Sequence, residues 1–144
     1  MPRRRGKKSL TATQQRKKEH LELCLDARPV VPPYGTGLDR YSFLHNALPE
    51  VDIDEIDLST SFLDKPLKAP LLISSMTGGF DLARKVNRNL ALAAQELGLA
   101  MGVGSQRVAL EEKSVADSFK VRDLAPDIVL LANLGAVQLN YGYG

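Results

Sequence analysis

The residues best suited to chemistry stand where apolar runs stop. Ser74-Ser75-Met76-Thr77-Gly78-Gly79 closes the run that begins APLLI, Gly104-Ser105-Gln106-Arg107 closes LAMGV, and Asn133 closes DIVLLA. Serine, threonine and asparagine both donate and accept hydrogen bonds, as the edge of a polar heteroaromatic ring requires. Met76 offers soft apolar area to a ring face, and glycine lets a ligand approach main-chain N–H groups with no Cβ in the way. Together they suit a flat polar ligand, although Gly and Ser are also the ordinary residues of any strand-to-helix turn. Arg107 adds a guanidinium suited to a planar or multiply charged anion; its alternative is an ion pair with Glu111. A second candidate is RKKEH, residues 16–20. On a helix, Arg16, Lys17 and His20 fall within one turn and could present positive charge and an imidazole N–H to a phosphate-rich ligand. A solvated basic helix is the plainer reading of that spacing.

Other chemistries find little support. GVGSQR is not G-x-G-x-x-G, because Arg107 holds the last glycine position, and no G-x-x-x-x-G-K-[ST] occurs. His20 and His45 are the only histidines and Cys24 the only cysteine, so no zinc-like cluster is spelled out. His45, among apolar neighbours in FLHNALPE, reads as a hydrogen-bonded structural histidine, and Cys24 as a half-buried structural thiol.

The elements that must position these groups form a repeat. Apolar 70–73 leads through the loop 74–80 to DLARKVNRNLALAAQELG, which sets Leu82, Val86, Leu90, Ala93 and Leu97 on one helical face, with Gly98 at the C-cap. Residues 99–103 form a second apolar run. SVADSFKVRDLAP follows as a second helix, started by Ser114 and stopped before Pro126, and 127–132 is a third run. Continuous apolar strands separated by helices predict a parallel sheet covered on both faces. The strand ends Ser75, Ser105 and Asn133 recur at about the 30-residue length of a βαβ unit, and in such folds ligands meet the carboxyl ends of the strands. Upstream, residues 1–13 read as a mobile basic arm. Residues 14–68 read as a helix with Leu21, Cys24 and Leu25 on one side, a Pro/Gly loop at 28–37 and an irregular approach to the sheet.

Composition bounds the answer further. The 144 residues, 44% hydrophobic and 25% charged, suffice for one globular core. A single cysteine excludes an internal disulfide framework. The basic start lacks the apolar stretch of a signal peptide, and no run approaches the ~18 apolar residues of a membrane helix, so a cytoplasmic protein without membrane partners is expected. Residues 1–20 hold eight of the 19 basic residues and one of the 17 acidic ones, leaving an acidic body. The chain has no Trp and no aromatic stacking platform, so nucleic acid is not the expected partner of this arm.

RKKEH, TGLDRYSFLHNALPE, APLLISSMTGG, GVGSQR and ANLGAVQL, in this order and spacing, closely resemble the N-terminal part of the type II isopentenyl-diphosphate isomerases, from about Gln15 onward. The resemblance implies an α/β fold, the N-terminal part of a (β/α)8 TIM barrel with about three βα units in residues 69–144. It implies an isomerase of isoprenoid synthesis that interconverts isopentenyl diphosphate and dimethylallyl diphosphate with reduced FMN, NADPH as reductant and Mg²⁺. By matched motif, Ser75, Met76, Thr77, Gly78, Ser105 and Asn133 would contact FMN. Arg16, Lys17, His20, Ser105, Gln106 and Arg107 would bind substrate. No side chain stands out as a catalytic acid/base, which suits the family proposal that the reduced flavin exchanges the protons.

A barrel of this kind needs about 250 residues, so the chain is expected to be an N-terminal fragment, inactive and poorly soluble alone. The metal site, a later lysine-containing strand and the flavin phosphate loops would lie beyond Gly144. A homotetramer or larger assembly is the family expectation. The competing readings are another FMN-dependent TIM-barrel oxidoreductase and a noncatalytic truncated product.

Overall fold

The computed structural model describes residues 11–26, 35 and 37–142; the basic arm at 1–10 and most of the loop at 28–37 lie outside them. Its centre is a three-stranded parallel sheet. Strands β3 (Leu72–Ile73), β4 (Ala100–Ser105) and β5 (Leu130–Asn133) lie in that order, with Leu72 opposite Ala100, Met101 opposite Leu130 and Ser105 opposite Asn133. Residues 100–104 of β4 are buried throughout, as the uninterrupted apolar run predicts for a strand covered on both faces. Met101 and Val103 join Ala91, Ala94, Val108, Phe119, Val121, Ala125 and Ile128 in one cluster, while Ala100 joins Leu67 and Val129 in another. Alternate residues of β4 thus serve opposite faces of the sheet.

Helix α2 (Asp81–Leu97) ends on Gly98, whose φ of 63° is the left-handed cap that glycine tolerates without strain. Its buried residues are Ala83, Asn87, Ala91 and Ala94. This turns the helix away from the expected face: Leu82 and Leu97 are exposed at 47% and 56%. Small residues let the helix backbone approach the sheet closely, so the longer side chains fall to its margins.

The link from β4 to β5 is not the continuous helix that the sequence suggests. It consists of a short helix α3 (Arg107–Glu111), a 3₁₀ segment (Lys113–Ser118) and turns. Ser114 starts no helix; its hydroxyl donates to Glu112 Oε1 at 2.6 Å. Ser118 Oγ donates to Val115 O at 2.6 Å and accepts from Gly79 N at 2.7 Å, a tertiary bond that a surface-facing helical serine could not make.

Two elements frame the sheet. The hairpin β1 (Thr60–Phe62) and β2 (Lys65–Leu67) turns through Leu63 and Asp64, both at positive φ, as a two-residue type I′ turn requires. It sets Leu67 against Ala100 and Val129, and Lys68 N donates to Gly98 O at 3.0 Å. Between residues 38 and 59 the side chains are exposed, that of His45 among them. Helix α1 (Ala12–Leu25) starts two residues before the expected position. Thr11 and Gln14 form a capping box there, each side chain bonding the other's backbone N–H.

Candidate functional site

Helix α1 docks along one face, and that face selects among the candidate cations. Gln14, Lys17, Leu21 and Cys24 recur at steps of three and four residues. Gln14 Nε2 reaches Glu112 Oε2 at 3.1 Å, Lys17 Nζ reaches Ser105 O at 3.2 Å, Leu21 is buried, and Cys24 Sγ lies 3.7 Å from Met76 Sδ. These contacts run from the end of β3 to the end of β4 and beyond it. Arg16 and His20 lie outside that face and are exposed, so of the RKKEH trio only Lys17 is turned toward the strand ends. Cys24 and Leu25 are exposed rather than half-buried on a common apolar side.

Lys17 is half-buried, and its Nζ stands 5.1 Å from the centroid of the Phe119 ring, over the face. Burial pushes its ammonium below the ordinary lysine value, and the Arg16 charge beside it pushes the same way.

The three strand ends are tied together through main chain. Gly104 N donates to Thr77 O at 3.2 Å, and Gln106 N donates to Asn133 O at 2.7 Å. Thr77, two residues past the expected strand end Ser75, is thereby brought with the equivalent ends Ser105 and Asn133 to one edge of the sheet. Ser75 and Gln106 are half-buried; Met76 and Asn133 are exposed. Arg107 opens α3 and its Nε meets Glu111 Oε1 at 2.8 Å, so the ion-pair alternative is the arrangement seen.

The glycines also serve close packing. The space above Gly78 is filled by the Phe119 ring, that above Gly79 by Val108 Cγ1 at 2.7 Å, and that above Gly104 by the Thr77 carbonyl at 2.5 Å. They admit neighbouring protein at close range, where a larger residue would force the layers apart. Gly79, at φ 93°, also makes the turn into α2.

Behind the site lies a polar scaffold that no motif announces. Asn87, 2% exposed, donates through Nδ2 to Thr77 O at 3.1 Å and to Ser118 O at 2.9 Å. With the Ser118–Gly79 bond, this fixes the turn 77–79 from both sides. The only signal in the sequence is a polar residue on an otherwise apolar helix face.

Thr77 Oγ1 is buried and has no hydrogen-bond partner among the described residues. Leaving a buried hydroxyl unpaired costs roughly 1–3 kcal/mol, so this orphan fits a polar ligand at the end of β3. Met76 and Asn133 are exposed and Ser75 is half-buried, so apolar and hydrogen-bonding side chains stand open to a ligand along this edge. Among the described residues, no group of three or more His, Cys, Asp or Glu side chains could hold a metal ion, and no helix is long and apolar enough to cross a membrane.

Parallel strands whose polar ends converge beneath a capping helix define the class of α/β proteins that receive ligands at the carboxyl edge of the sheet. Known proteins narrow this. The chain is 61% identical over 128 residues to the isopentenyl-diphosphate delta-isomerase of Synechococcus sp., covering 89% of this chain and 37% of that protein. It is 56% identical over 132 residues to the protein of the same name from Nostoc sp., covering 92% and 38%, and 54% identical over 130 residues to that of Oceanobacillus iheyensis, covering 90% and 37%. The chain therefore has homologues named isopentenyl-diphosphate delta-isomerase and spans little more than a third of their length. It matches no protein-family description.

Proposed function

We propose that this chain is the N-terminal part of a type II isopentenyl-diphosphate delta-isomerase. In this reading β3, β4 and β5 are the first strands of a (β/α)8 barrel, and the residues at their carboxyl ends would hold FMN. The observation that carries it is the gathering of Lys17, Thr77, Ser105 and Asn133 at one sheet edge, in a chain that is 54–61% identical, over the 128–132 residues matched, to proteins named isopentenyl-diphosphate delta-isomerase.

Each residue then has a task. Thr77 Oγ1, Ser75, Ser105 and Asn133 would hydrogen-bond the flavin edge, Met76 would pack on its ring, and Gly78 leaves room for the Phe119 ring against the turn that carries them. Lys17, held by its bond to the Ser105 carbonyl, keeps N–H donors for a diphosphate oxygen. Arg16, His20 and Gln106 border the same region, and Arg107 joins them by exchanging Glu111 for the substrate anion, a better-matched partner for its fork. FMN held by these residues, once reduced by NADPH, would supply the proton donor and acceptor of the reaction. Mg²⁺ bound to the diphosphate would neutralise part of its charge.

The reaction moves one proton onto the alkene and another off the allylic carbon, with no net redox change. The chain's share is to orient the diphosphate and to keep water from the site, which α1 serves by lying over the strand ends. A homotetramer or larger assembly belongs to the same proposal. Tyr41, Phe43, Leu44 and Leu48, at 81–102% exposure, are apolar surface that further protein would cover.

The test is an Arg16→Ala, Lys17→Met double variant of the native protein, assayed with isopentenyl diphosphate, FMN, NADPH and Mg²⁺ under anaerobic conditions. A rise in KM of at least tenfold with FMN still bound is expected. An unchanged KM overturns the assignment of these residues to the diphosphate.

A further inference from the structure

We propose that Phe119 is a positioning residue for anion binding: its ring, clamped beneath the Gly78–Gly79 turn, holds the Lys17 ammonium at the strand ends. The proposal rests on the diphosphate-binding reading for the identity of the anion, and on geometry for the coupling.

Phe119 is 6% exposed, and its ring fills the space above Gly78. It cannot slide, because the residue before it is fixed twice: Ser118 O accepts from Asn87, and Ser118 Oγ accepts from Gly79 N. A chain of contacts therefore runs from Asn87 in α2 through Ser118 to the Phe119 ring and on to Lys17 in α1.

At the end of that chain the ammonium lies 5.1 Å from the ring centroid and 3.7 Å from the position a Cβ would take on Gly79. Its bond to Ser105 O uses one of three N–H donors. A lysine side chain in solvent samples many rotamers, and ordering it for a ligand costs rotamer entropy. A ring face attracts the charge without consuming a donor. The carbonyl and the ring together fix the ammonium while leaving two N–H groups for an oxyanion. Among the described residues no acidic side chain is paired with Lys17, so an incoming anion need not displace a carboxylate.

The experiment uses the native full-length protein with selectively ¹³C-labelled lysine. In the wild type the Lys17 ε-methylene protons, assigned by their loss in Lys17→Met, resonate upfield of the other lysines because of the ring current. Phe119→Tyr keeps this shift and Phe119→Leu abolishes it. In the isomerisation assay Phe119→Leu raises KM about fivefold or more with kcat within twofold, Phe119→Tyr restores it, and adding Phe119→Leu to Lys17→Met raises KM by less than twofold. No upfield shift in the wild type, or full multiplication of the two KM effects in the double variant, overturns the proposal. A wild type that carries the shift but does not isomerise overturns the isomerase reading and leaves the Phe119–Lys17 coupling standing.

Discussion

Replacing Asn87 by alanine probes the scaffold behind the site with little change in exposed surface. The amide donates to two main-chain carbonyls in a position only 2% exposed. Truncation deprives Ser118 O of its amide donor, a buried acceptor worth roughly 1–3 kcal/mol. Thr77 O loses one of its donors but keeps Gly104 N at 3.2 Å, so its cost is nearer ~0.5–1.5 kcal/mol. The expected destabilisation is about 2–4 kcal/mol. For a domain of roughly 150–250 residues this lowers Tm by about 4–16 °C. Urea unfolding followed by circular dichroism should show a lower midpoint at unchanged slope. Asn87→Asp, nearly isosteric, should cost more, because it faces a carboxylate toward two carbonyl oxygens. A loss below about 0.5 kcal/mol for Asn87→Ala would refute the claim that this amide holds the turn 77–79.

Three further outcomes follow from particular contacts. Gly104→Ala places a methyl 2.5 Å from the Thr77 carbonyl and should cost about 1–3 kcal/mol by overpacking, measured by thermal unfolding, with weakened FMN retention on gel filtration. Gly98→Ala forces a side chain into the left-handed cap at φ 63° and against Lys68 Cγ at 2.7 Å, and should cost roughly 1–2 kcal/mol in the same assay. Because burial holds the folded-state Lys17 ammonium below its ordinary value, the unfolded chain binds more protons between that lowered value and about pH 10.4. The Lys17 contribution to stability therefore rises with pH through that window. Comparing unfolding free energies of wild type and Lys17→Met at successive alkaline pH values checks this; a constant difference contradicts it.

The legible parts of the sequence were those set by a strong local pattern. Buried parallel strands are apolar on both faces, so β4 could be read directly, and Gly98 marks the end of α2 because few other residues take a left-handed cap. The Leu63-Asp64 turn carries no Asn-Gly or Asp-Gly signal, and the hairpin it closes went unread. The face of α2 was misjudged because alanine is a weak hydrophobic marker, yet three of its four buried positions are Ala83, Ala91 and Ala94. The link after β4 was read as helical because Ser118 gives no local sign of its bond to Gly79, which lies 39 residues away. The strand-end residues were legible from their spacing. Asn87, Ser118 and Phe119 were not, since their role exists only once α2, the 3₁₀ segment and the turn at Gly78 meet.

The most direct test of the central claim is to incubate the native protein anaerobically with isopentenyl diphosphate, FMN, NADPH and Mg²⁺, and to follow both products and NADPH. The account predicts dimethylallyl diphosphate formed in many turnovers per flavin, with NADPH consumed only to reduce the flavin once. NADPH oxidation in step with product would mark an oxidoreductase. No dimethylallyl diphosphate from a protein that retains FMN would contradict the isomerase reading itself.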